Sequence, residues 1–231
     1  MQDGSVRTTA NSLKSYFVAD WRHKQDLKVN EEQAAVAAEL HGRREEADEL
    51  LNLVMDTNSS HLVVWGPQGV GKTALVRAVY NRVRGLNGGF KHQAWVNVPH
   101  PLVDVAGVAR DIISGLRNRR DRAFEGSEVA GCQTMLRCVR GRTMVVLDGV
   151  RSKEDWDRID AVITKAMQPG SCVVVITSDA LAAHYVRRSE GHVRRVNRLG
   201  AASAFRLFLQ EVCTYVLYSS SYLLFLAQGM Q

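Results

Sequence analysis

Eight consecutive residues, Gly66-Pro67-Gln68-Gly69-Val70-Gly71-Lys72-Thr73, satisfy the pattern G-x-x-x-x-G-K-[ST] between an apolar run and an amphipathic stretch. A strand, a tight loop and a helix must follow one another there, which restricts the chain to a small set of α/β folds. Gly66, Gly69 and Gly71 open backbone conformations closed to residues with a Cβ, so consecutive N–H groups can turn inward around an anion. The helix that follows adds the positive end of its dipole. Lys72 supplies a full charge and the Thr73 hydroxyl suits a divalent cation. The spacing therefore predicts that Gly66 to Thr73, with Ala74 next in line, hold a nucleotide's phosphates and Mg2+.

The rest of the chain agrees with a parallel sheet covered on both faces. Short apolar runs predict strands at Leu62–Trp65, Gln93–Val98, Thr143–Leu147, Cys172–Thr177 and Val193–Val196. Helices are predicted from Arg44, where Ala47, Leu50, Leu51 and Val54 form one stripe, and over Thr73–Val83, Val103–Leu116, Lys153–Ile163 and Ala201–Glu211. The last of these places Phe205, Phe208, Leu209 and Val212 together, a stripe expected to pack into a core. The strand from Thr143 ends in Asp148, a carboxylate at the edge where a Mg2+ ligand is needed. Asp148 follows Lys72 by 148 − 72 = 76 positions, room for one βα unit and a further helix between them.

Of the 231 residues, 45% are hydrophobic, enough for one mid-sized domain with arms or for two small domains. Lys and Arg outnumber Asp and Glu by 30 to 24, but the charges are dispersed apart from Arg117 to Arg122 and Arg187, Arg188, Arg194 and Arg195. No aromatic side chains interleave those clusters, so no nucleic-acid surface is expected. Cys132, Cys138, Cys172 and Cys213 form no zinc-spaced set and are expected to be reduced thiols of a cytoplasmic protein. The apolar run from Val212 to Met230 is interrupted by Ser219, Ser220 and Ser221, so a membrane span is not expected.

Beyond the phosphate loop, the order of motifs resembles the NB-ARC module of plant disease-resistance proteins of the nucleotide-binding, leucine-rich-repeat class. Phe90-Lys91-His92-Gln93-Ala94-Trp95-Val96-Asn97-Val98 is similar to the family's F-x(4)-W-V-x-V segment, typical of members with a coiled coil rather than a TIR domain. Leu147-Asp148-Gly149-Val150 stands where the family has L-D-D-V, and Gly170 to Asp179 resembles G-S-R-I-I-V-T-T-R. Ala204-Phe205-Arg206-Leu207-Phe208 is similar to A-x-x-L-F, and His41-Gly42-Arg43 to the V-G-R turn that lies against adenine in the family. The resemblance implies a P-loop NTPase fold of the STAND and AAA+ type, a parallel five-stranded sheet with helices on both faces. It divides the chain into an arm at 1–40, the nucleotide-binding module at 41–211 and an apolar tail at 212–231. It also places Gly42, Arg43 and Gly66 to Ala74 around ADP or ATP, with Thr73 and Asp148 on the metal.

The same resemblance implies a signalling switch in plant defence, in which ADP holds a closed form and exchange for ATP opens it. Full-length immune receptors or other host proteins are the partners it suggests. Two departures bear on catalysis. Gly149 replaces the family's second acid, which acts on the attacking water, and Gly has no side chain for that role. Asp179 stands for the arginine that closes T-T-R and senses the terminal phosphate. At about 5 Å and an effective dielectric near 20, attraction of about 3 kcal/mol would turn into repulsion of similar size. ADP is therefore expected to be favoured over ATP, with hydrolysis slow or absent and no catalytic residue assigned. The sequence holds no G-L-P-L motif, winged helix, M-H-D motif or leucine-rich repeats, so the expectation is a truncated relative acting on full-length partners. An active ATPase or kinase and a non-functional fragment are the alternatives.

Overall fold

A computed structural model describes residues 42–57, 60–84, 86, 88–116, 127–187, 192–210 and 212. The helix expected within Glu31 to Leu40, the basic cluster Arg117 to Arg122 and the tail from Cys213 lie outside these residues. The described elements, in order, are α1 (Arg44–Met55), β1 (His61–Trp65), α2 (Lys72–Val83), β2 (His92–Asn97), α3 (Val105–Leu116), α4 (Glu128–Cys138) and β3 (Thr143–Asp148). They continue with α5 (Lys153–Ile163), β4 (Cys172–Thr177), α6 (Ala180–Arg187) and β5 (His192–Arg195), and a final helix covers 201–210.

All five strands pair in parallel in the order β2-β3-β4-β1-β5. Alternate residues of each central strand enter opposite cores, the period of two expected of pleated backbone. Leu62, Val64, Met144, Val146, Val174 and Ile176 meet α1 and α2 through Leu50, Val54, Leu75 and Val79. Val63, Val145, Leu147, Val173 and Val175 meet α3 to α6 through Ile112, Leu136, Ile159 and Val186. Both faces of the sheet are thus covered, which is why its central strands read as unbroken apolar runs.

Strand and helix boundaries differ from expectation by a residue or two. The third helix starts at Val105 rather than Val103, because the Asp104 carboxylate accepts a bond of 2.9 Å from the Ala106 amide and caps it. The last strand is His192–Arg195 rather than Val193–Val196, although Val196 N–H still donates to Trp65 C=O at 2.8 Å. Two helices were not located from the sequence. In α4 the buried face is only Gly131, Cys132 and Leu136, and α6 has eight residues, so neither shows a clear stripe. The expectation that Phe205, Phe208, Leu209 and Val212 pack into a core is overturned. They are 60%, 59%, 43% and 40% exposed, because the final helix follows an edge strand and no described element crosses that face.

Asp179 explains why α6 forms at all. Its Oδ1 accepts from the amides of Leu181 at 2.7 Å and Ala182 at 3.3 Å, satisfying donors that a helix start leaves unpaired. The carboxylate thus sits at a helix N-terminus and bonds to backbone amides. Asp179→Ala is expected to cost about 1 kcal/mol in urea unfolding and to leave ATP affinity unchanged; a rise in ATP affinity would place the carboxylate against phosphate instead. Gly115 tests the packing of α3 on β2. A Cβ there would lie 2.8 Å and 2.9 Å from Cβ and Cα of Ala94. Overpacking of about 1–3 kcal/mol should outweigh the helix-propensity gain of about 1 kcal/mol, so Gly115→Ala is expected to lower the urea midpoint.

Candidate nucleotide-binding site

The phosphate loop leaves β1 at Trp65 and enters α2 at Lys72, at the carboxyl edge of the sheet. Gly66 is needed for close approach, since a Cβ there would come within 2.5 Å of the Val196 carbonyl. Gly71 occupies the N-cap of α2 at φ 93°, ψ 21°, a left-handed conformation that strains residues with a Cβ. No side chain caps this end, so the first-turn amides have no side-chain partner and can serve an anion. Pro67, Gln68, Gly69, Thr73 and Ala74 are exposed on the loop and the first turn, and Val70 is half-buried.

Side-chain bonds close the loop on itself and against the ends of β4 and β3. Lys72 Nζ donates to the carbonyls of Gly66 at 3.0 Å and Pro67 at 2.9 Å, and to Ser178 Oγ at 2.9 Å. Thr73 Oγ1 donates to Asp148 Oδ2 at 3.0 Å, bringing together the two residues expected to ligate metal. Ser178 was absent from the sequence-derived site. It directly follows Thr177 at the end of β4, so position 178, not 179, reaches the phosphate loop.

Both charged groups are held against their preference. Burial lowers the Lys72 ammonium below the ordinary lysine range, opposed by the nearby Asp148 charge. Burial raises the Asp148 carboxyl, opposed by the Thr73 hydrogen bond and the charges of Arg77 and Lys72. The lowered lysine destabilises the fold at all pH below its folded value; the raised acid does so at all pH above its own. At neutral pH both costs are present, and a phosphate beside Lys72 and a cation beside Asp148 would offset them.

The residues fit Mg2+. A hydroxyl and a carboxylate are hard oxygen donors of the type this ion takes together with phosphate oxygens. Among the described residues no three His, Cys, Asp or Glu cluster as a metal site of their own.

Gly42 and Arg43 do not present side chains to the loop opening. A Cβ on Gly42 would lie 2.1 Å from Ser203 Oγ, so this turn packs on the final helix. The Arg43 guanidinium is buried and bonded to protein groups.

Gly149 adopts φ 101° beside the Val98 carbonyl, where any side chain would be strained. Asp155 and Asp157, the acids nearest in sequence, are on α5; Asp155 lies 3.5 Å from His100 Nδ1 and Asp157 pairs with Lys153. Of the second basic cluster, Arg194 pairs with Glu49 and Arg195 lies over the Trp65 ring. Cys132 and Cys172 are buried thiols pushed up to about 11 and about 12, so both stay protonated. Among the described residues no helix is long and apolar enough to cross a membrane.

Comparison with known proteins agrees with this architecture. The Aeropyrum pernix ORC1 protein, solved in complex with DNA, superposes with a TM-score of 0.53 at 21% identity over 73% of this chain and 48% of that one. Drosophila ORC bound to DNA gives 0.57 at 16% identity over 81% and 52%. At these identities the likeness concerns the fold alone. In sequence, the "Disease resistance protein RPP8" of Arabidopsis thaliana is 31% identical over 132 residues, 55% of this chain and 14% of that protein. The "Probable disease resistance protein RPP1" of the same plant is 26% identical over 221 residues, 85% of this chain and 18% of that protein. The chain thus spans under a fifth of these relatives' length. The family model described as "NB-ARC domain" matches residues 43–217, most of the chain. With this family match and its parallel P-loop NTPase sheet, the chain belongs to the NB-ARC family of plant resistance proteins.

Proposed function

We propose that this chain binds an adenine nucleotide, ADP or ATP, with Mg2+, and serves as the nucleotide-binding module of a plant immune signalling switch. The observation that carries the reading is the convergence of Lys72, Ser178, Thr73 and Asp148 over a helix start with no side-chain cap. Phosphate contacts are assigned to Gly66 through Ala74, with Thr73 and Asp148 on the metal. Residues 41–211 form the binding module between the arm at 1–40 and the tail at 212–231. The disease-resistance names of the relatives support a role in defence, with full-length receptors as partners and the cytoplasm as the site of action.

ADP is the favoured ligand in this reading. Gly149 offers no acid to an attacking water, and the neutral hydroxyl of Ser178 stands at the end of β4 where a cation would attract a third phosphate. Hydrolysis is slow or absent for the same reasons.

Melting of the full chain tests the site. Mg-ADP at about a hundredfold its dissociation constant should stabilise it by about 2.7 kcal/mol, a shift of roughly 5 to 10 °C for a domain of this size. Lys72→Met should lose the ligand shift. Asp148→Asn should lose most of the Mg2+ dependence of binding. A full shift in Lys72→Met contradicts the assignment. Tighter binding of ATP than ADP, with steady phosphate release, contradicts the preference and favours an active ATPase.

A further inference from the structure

The Arg43 guanidinium is 4% exposed and placed behind the phosphate loop. Its Nη1 donates to Glu46 Oε2 at 2.7 Å, within the first turn of α1. Its Nη2 donates to the Val70 carbonyl at 2.9 Å and to the Asn197 carbonyl at 2.6 Å, so one group joins α1, the phosphate loop and the segment after β5. The family resemblance placed this residue at the adenine turn, but the side chain turns into the protein.

A trans peptide points its C=O and the following N–H in opposite directions. The Val70 carbonyl faces Arg43, so the Gly71 N–H faces away from it, the orientation a loop amide needs to meet an anion on the other side. Gly71, at φ 93°, has no Cβ to bias this peptide, and the plane would be free to rotate without an outside contact. A guanidinium remains charged at every working pH, and a cation at the carbonyl oxygen polarises the peptide and strengthens its N–H as a donor.

We propose that Arg43 is a positioning residue that aims the Gly71 amide at a bound phosphate by pinning the Val70 carbonyl. The proposal rests on the nucleotide reading above and adds the group that organises the loop for it. It differs from an adenine contact in one measurable respect, because it acts on the phosphate portion of the ligand alone.

The test titrates the full chain and Arg43→Lys with pyrophosphate and with Mg-ADP. Lysine keeps the charge but has one nitrogen where arginine uses two, Nη1 on Glu46 and Nη2 on both carbonyls. Both affinities should fall by the same factor, roughly tenfold to a hundredfold. Loss of ADP affinity with pyrophosphate unchanged would assign Arg43 to adenine, and no loss of either would remove the positioning role. In the unaltered chain, the Gly71 amide should exchange readily with solvent deuterium and become protected by pyrophosphate. Protection that is already present without ligand overturns the proposal, whether or not Arg43→Lys folds. If the unaltered chain binds neither ligand, the nucleotide reading fails first, and this proposal fails with it.

Discussion

The hydrogen bond from Thr73 to Asp148 reaches across an intervening strand, and the rest of the site depends on the arrangement that allows it. Thr73 follows β1 and Asp148 ends β3, while β4 lies between them in the sheet. Trp65 pairs with Thr177, and Asp148 with Ile176, so three parallel strands finish at nearly the same level. An antiparallel neighbour would send one of these ends to the opposite edge. With all three ends together, Lys72 can touch Ser178 and Thr73 can touch Asp148 without a long loop from either strand.

That edge is stabilised by the remainder of the fold while being locally unfavourable. Two apolar layers clamp the sheet, and within it an ammonium and a carboxyl are desolvated in ways that disfavour their charged forms. Such a site is organised for opposite charges to arrive from outside. Preorganisation extends behind the loop, where Arg43 holds a loop carbonyl and a carbonyl that lies 154 residues from it in sequence.

The departures from the family pattern take on different weights once the side chains are placed. Gly149 stands at a positive φ beside a carbonyl, so the missing acid there is matched by a backbone that favours glycine. The Asp179 carboxylate accepts from two amides of α6. Ser178, which the nine-letter motif counted from Gly170 sets against its closing arginine, is the side chain that meets Lys72. On the far side, the final helix exposes Phe205 and Phe208, although their spacing matched that of a buried face.

The sequence by itself determined the strand-loop-helix at Gly66 to Thr73, the parallel sheet and Asp148 as the carboxylate at its edge. These were legible because local periodicity and backbone chemistry act over a few residues, and because a buried parallel strand must be apolar throughout. Only the tertiary structure decided which strand end each polar group faces and which helix an Asp caps. It also decided that Arg43 turns inward and that the last aromatic stripe stays uncovered. Those outcomes depend on strand order and on contacts between segments distant in sequence, and amphipathic spacing says which residues share a face without saying what lies opposite.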